Sequence, residues 1–145
     1  MLPQRALVYL DSNILVHIIE GHPQLWSSVQ VLVDLIKRHE IRVATSELTL
    51  AETLVKPIAV ANSALQSQYE AILNSSPELS VLPITRPILI SAAKLRGACN
   101  SLKLPDAIHV ATATSFGASH FLTEDIRIKL PPNISRVGLA QLLTP

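Results

Sequence analysis

Four acidic residues stand out by position, because each falls beside the end of an apolar segment. They are Asp11 in L-V-Y-L-D-S-N, Glu52 in S-E-L-T-L-A-E-T-L, Asp106 in L-P-D-A-I-H-V-A-T-A and Asp125 in F-L-T-E-D. Carboxylates brought to one edge repel each other unless a cation neutralises them. A divalent metal is the simplest such cation, and an all-oxygen donor set favours Mg²⁺ or Mn²⁺ over zinc. Each acid also has a structural reading. Asp11 can open a helix and complement its dipole. Glu52 lies at the border of the arc made by Leu48, Leu50, Ala51, Leu54 and Val55. From there it can reach over a sheet edge, or simply face solvent. Glu47, in the first turn of that helix, is its rival. Asp106 shares a face with Val110 and Ala113 on a helix of small apolar residues, so its charge needs a cation or first-turn donors. His109 is expected as a packed or hydrogen-bonded imidazole rather than a ligand. Thr123, Glu124 and Asp125 can form a polar turn.

Bringing these acids together requires an alternation of strands and helices. Leu7 to Leu10 reads as a buried strand, with Ser12 or Asn13 able to cap a helix over Ile14 to Ile19. Gly21 stops that helix, and Pro23 can open a longer one to about Glu40. Ile41 to Ala44 is a short strand. Ser46 caps a helix that Pro57 ends or kinks, and Asn62 to Asn74 forms another. After a turn at Ser75, Ser76 and Pro77 come a strand from Ser80 to Ile84 and a helix begun by Thr85 and Pro87. Pro105 opens the next helix, which stops at Gly117. His120 to Thr123 and Ile134 to Val137 are the last strands. This order implies an α/β fold with a mostly parallel sheet covered on both faces. Asp11 and Asp125 then lie at the carboxyl edge, where open α/β sheets bind ligands.

Composition narrows the class of protein. A chain of 145 residues that is 48% apolar fits one domain, spanning residues 1–145, and its 3% aromatic content makes the core aliphatic. The single Cys99 excludes an internal disulfide, and no Cys/His spacing suggests zinc. The expected setting is soluble and cytoplasmic, with no signal peptide and no apolar run near the ~20 residues of a membrane span. A formal charge of +1 gives no global attraction to nucleic acid. Local clusters such as Lys94, Arg96 and Lys103, or Arg127 and Lys129, would have to supply it.

In the order and spacing of these motifs, from L-D-S-N at 10–13 to F-L-T-E-D, the chain resembles the PIN-domain ribonucleases, most closely the VapC-type toxins of bacterial toxin-antitoxin pairs. The resemblance implies a PIN-like three-layer α/β/α domain. It matches the family's acidic set to Asp11, Glu52, Asp106 and Asp125, prefers Glu52 to Glu47, and matches supporting positions to Asn13 and Thr123. Glu124 departs from it, standing where the family commonly has Asn. The implied activity is metal-dependent hydrolysis of RNA phosphodiesters, with Mg²⁺ or Mn²⁺ held by Asp11, Asp106 and Asp125. Glu52 would bind metal or orient the attacking water, and Ser12, Asn13 and Thr123 would hold the carboxylates. Attack by water does not use the ribose 2′-hydroxyl, so RNA preference would come from recognition of sugar and shape. The implied partners are RNA, a small antitoxin offering a basic side chain over the acidic groove, and a second copy in a homodimer, with no membrane. Phosphatases that open with D-x-D fit less well, because Asn13 stands at the third position. Receiver domains carry adjacent acids early in the chain, which are absent here. A non-catalytic PIN-like RNA- or protein-binding module with a structural metal is the remaining alternative.

Overall fold

The computed structural model describes residues 2–144. Five strands form one sheet: β1 (Ala6–Leu10), β2 (Ile41–Ser46), β3 (Leu79–Leu82), β4 (His120–Leu122) and β5 (Ser135–Val137). Their order is β3-β2-β1-β4-β5 and every neighbouring pair is parallel. Six helices connect them: α1 (Ser12–Glu20), α2 (Trp26–Lys37), α3 (Glu47–Ala59), α4 (Ser63–Ile72), α5 (Arg86–Ala98) and α6 (Leu104–Phe116). A 3₁₀ turn, Leu139–Leu143, follows β5.

Alternation along β1 divides the core, since successive strand residues face opposite sides of a sheet. Val8 and Leu10 pack with Ile14, Leu15, Val29, Leu32 and Tyr69 from α1, α2 and α4. Tyr9 packs on the other side with Ile88, Ala92, Ala107, Val110 and Phe121 from α5, α6 and β4. Helices therefore cover both faces, giving the three-layer α/β/α arrangement expected from the sequence. The close seating of α6 explains its composition. Ala107, Val110, Ala111 and Ala113 are all buried, and side chains of that size let the helix lie near the sheet.

Several boundaries differ from the sequence reading, each for a local reason. Asp11, rather than Ser12 or Asn13, caps α1: its carboxylate accepts the Ser12 N–H. Helix α2 begins at Trp26, not Pro23, because Pro23 to Leu25 form a turn and the N-cap, Leu25, has no side chain that can accept a bond. It ends at Lys37, since His39 takes φ 56, outside the helical region. Pro57 does not end α3, which runs on to Ala59. Strand β3 stops at Leu82 because Pro83 has no N–H to give the ladder.

The arc proposed for α3 is also out of phase. Its buried line is Thr49, Thr53 and Pro57, whereas Ala51 and Val55 are exposed. Hydropathy misses this line because threonines are polar until their hydroxyls are satisfied internally. Thr53 donates to the Thr49 carbonyl at 2.7 Å, and the Thr45 and Thr49 hydroxyls pair at 2.7 Å.

Candidate active site

The sheet order reverses between β1 and β4, and that switch point is where a parallel sheet opens a crevice at its carboxyl edge. Asp11 follows β1 there, and its N–H donates to the Leu122 carbonyl at the end of β4 at 3.0 Å. Asp11 is 4% exposed. A carboxylate so buried must be hydrogen-bonded. Oδ1 accepts the Ser12 N–H at 2.9 Å, while Oδ2 accepts the Thr123 hydroxyl at 2.7 Å and the Asn13 amide at 3.3 Å. Thr123 in turn accepts the Asp125 N–H at 3.0 Å. Asn13 and Thr123 thus fix Asp11 with their side chains, whereas Ser12 acts through its backbone, which any residue but proline would supply. Three bonds leave about one of the four acceptor positions of Asp11 open.

Asp106, in the first turn of α6, is half-buried. Burial and then the Asp11 charge push its carboxyl above the usual range, with smaller contributions from Asp125 and Glu52. The expected capping donors do not offset this. Helix α6 is capped at Lys103 without a side-chain bond, and only the His109 charge acts in the opposite direction. The surroundings of Asp106 therefore disfavour its charged form.

Glu52 and Asp125 already have cationic or donor partners. His109 is fully buried, and its Nε2 lies 2.5 Å from Glu52 Oε1 while its Nδ1 lies 2.6 Å from the Tyr9 hydroxyl. An ionised carboxylate only accepts, so Nε2 carries the hydrogen and donates to Glu52. Burial, followed by the Asp11 charge, holds the Tyr9 hydroxyl well above its usual range. Tyr9 thus keeps its proton, and its hydroxyl pairs with Nδ1 on the other side of the ring. Strand β1 thereby reaches α3 through α6. His109 is the hydrogen-bonded imidazole expected, but its contact with Glu52 across 57 positions was not anticipated. Its place three residues after Asp106, in D-A-I-H, is the only sequence signal for it. Glu47 is exposed in the first turn of α3 and joins none of these contacts.

Asp125 is held by Arg127. The guanidinium donates from Nε to Oδ1 and from Nη2 to Oδ2, each at 3.0 Å, and the Arg127 N–H adds a bond to Oδ1 at 2.9 Å. This fork holds the Asp125 carboxyl below the usual range. Glu124 points elsewhere: its Oε1 accepts the Leu139 N–H at 2.6 Å and so caps the final 3₁₀ turn. The repulsion expected from the sequence is present, since Asp11, Asp125 and Glu52 all act against the charge on Asp106. Arg127 on Asp125 and His109 on Glu52 offset part of it.

Among the described residues, no three acidic, histidine or cysteine side chains converge as a ready cage for a metal ion. The donor set still fits a hard cation that keeps most of its own waters. Mg²⁺ is commonly held by one or two carboxylates, which suits the Asp11 and Asp106 pair. A third ligand from Asp125 would come from a carboxylate whose two oxygens both already accept from Arg127.

The family model described as PIN domain matches residues 8–132. Comparison with curated proteins gives no match. Among solved structures, the chain is similar to VapBC2 from Rickettsia felis bound to a DNA fragment from its promoter, with TM-score 0.65 and 22% identity over 91% of this chain and 98% of that one. It is also similar to a toxin-antitoxin complex from Klebsiella pneumoniae, with TM-score 0.65 and 21% identity over 88% and 94%. VapC20 from Mycobacterium tuberculosis, a sarcin-ricin loop cleaving toxin, aligns with TM-score 0.62 and 16% identity over 79% and 86%. At these identities the likeness is one of fold. Among the described residues, no helix is long and apolar enough to cross a membrane.

Proposed function

The chain belongs to the PIN-domain family, and from that premise we propose that it is a metal-dependent endoribonuclease, acting in the cytoplasm as the toxin of a toxin-antitoxin pair. The observation that carries the reading is Asp11, buried at the switch point of the sheet and fixed by Thr123, Asn13 and the Ser12 N–H, with the half-buried Asp106 near enough to feel its charge. Asp11 and Asp106 would hold Mg²⁺ or Mn²⁺, joined by Asp125. A divalent ion there supplies Lewis-acid chemistry, acidifying water and drawing charge from a phosphate. The chain's own residues do the rest. Thr123, Asn13 and the Ser12 N–H lock the Asp11 rotamer, so the carboxylate needs little ordering when it binds. His109 ties down one oxygen of Glu52 and leaves the other free to take a proton from the attacking water. The proposed partner is an antitoxin protein, supported by the toxin-antitoxin complex among the similar structures. The whole chain acts as one domain, and a homodimer is part of this reading.

Incubation with a mixed RNA pool tests the proposal. Cleavage is expected with Mg²⁺ or Mn²⁺ and none with EDTA. An RNA pool left intact by the folded protein with either ion sinks the enzyme reading. RNA retained but uncut would mark a non-catalytic binding module instead.

The position of α3 gives a second expectation. Glu52→Gln should lower cleavage at least ~10-fold, because an amide neither takes the proton nor accepts the His109 bond with the same strength. Glu47→Gln should change it less than about twofold. Comparable losses in the two variants would mean that the border of α3 does not serve the site.

A further inference from the structure

A site rich in carboxylates that acts on a polyanion needs cations of its own. Arg127 is the basic side chain placed against the acidic set, and it is 79% exposed although both ends of its fork rest on Asp125. It borders an open hollow lined by Asn13, Glu124, Asp125 and Ile126. The backbone around it is fixed from behind. Arg136, on β5, donates from Nη1 to the Ile126 carbonyl at 2.6 Å and from Nη2 to the Ile128 carbonyl. The two carbonyls that flank Arg127 are therefore clamped, while its guanidinium, on the solvent side, is held only by the Asp125 carboxylate. A guanidinium fork matches a phosphate as well as it matches a carboxylate.

We propose that Arg127 is a two-position side chain that occupies Asp125 until a divalent ion claims that carboxylate, and then binds a backbone phosphate of the RNA. The inference rests on the nuclease reading above. In the first position Arg127 competes with the metal, and in the second it contributes to substrate affinity. One residue thereby couples the loading of the metal to the grip on RNA.

Two measurements on the full chain test this. The first is RNA binding by fluorescence anisotropy in MnCl₂, comparing Glu52→Gln with Glu52→Gln/Arg127→Ala, in which cleavage is slowed, read at early times. Loss of Arg127 should weaken binding severalfold and reduce the salt dependence by about one phosphate contact, a slope change of ~0.7 for a single strand. Arg127→Lys should fall between, since it keeps the charge and loses the fork. The second is Mn²⁺ binding to RNA-free protein, in which Arg127→Ala should bind the ion more tightly than wild type because no guanidinium has to be displaced. Unchanged RNA affinity and salt slope, or Mn²⁺ affinity that stays the same or falls, overturns the proposal. If Glu52→Gln itself binds no RNA in MnCl₂, the nuclease reading fails first and takes this inference with it.

Discussion

Asp11→Asn is expected to cut metal-dependent RNA cleavage at least ~100-fold, which corresponds to roughly 2.7 kcal/mol of transition-state stabilisation. The amide keeps the shape of the side chain and can still cap α1, because Asn is as good an N-cap as Asp. It gives up the anionic oxygen that faces the metal. The fold should persist with a loss of about 1 kcal/mol, for a reason visible in the bond pattern. If the amide oxygen keeps the Ser12 N–H, the amide nitrogen faces the Asn13 amide, and two donors cannot bond. A further readout does not depend on activity. The Asp11 charge is the second cause of the raised Asp106 carboxyl, so its removal should bring Asp106 down toward the usual carboxylate range in an NMR titration. A folded Asp11→Asn protein that cleaves RNA at the wild-type rate would remove Asp11 from the mechanism.

His109→Phe should cost about 2 kcal/mol of stability, or roughly 5–8 °C in melting temperature for a chain of this size. Phenylalanine fills most of the imidazole volume but offers no partner to the Tyr9 hydroxyl, which is fully buried. Glu52 suffers less because its side chain is 33% exposed and water can replace the lost donor. The effect on chemistry is separate. A Glu52 no longer held through Oε1 should lower kcat at least ~10-fold while the KM for RNA changes little, because Glu52 takes a proton rather than binding the strand. Adding Tyr9→Phe removes the stranded hydroxyl and should recover part of the melting temperature without recovering kcat. An unaltered kcat in either folded variant would leave the Tyr9, His109 and Glu52 chain a purely structural feature.

Much of the fold was legible because its signals are local. Period-2 and apolar runs located all five strands, and the first residues past β1 and β4 announced the edge where Asp11 and Asp125 lie. Caps such as Thr85 and Asn62 and the stop at Gly117 fell where turn chemistry puts them. What escaped was set by partners far away in sequence. Nothing near Thr49 and Thr53 says that their hydroxyls are satisfied by backbone and by Thr45, so the buried face of α3 was phased on its leucines. Each acid of the site is legible from its own segment, whereas their charge balance depends on distant partners. Arg127 is only two residues from Asp125, but whether it forks onto that carboxylate or trails into solvent depends on the loop that Arg136 fixes from β5. Likewise the capping role of the Glu124 carboxylate depends on the N–H of Leu139, fifteen residues away.

The parallel order of the sheet has a consequence for synthesis. Strand β1 pairs with β2, some 35 residues on, but also with β4, whose Leu122 lies opposite Leu10. A nascent chain can close the first pairing early, whereas the second joins segments more than 100 residues apart and so forms late and slowly. Asp11 and Glu52 are therefore translated long before Thr123 can lock the one or the D-A-I-H segment can hold the other. The centre stays dismantled, in pieces without chemistry, until β4 has left the ribosome.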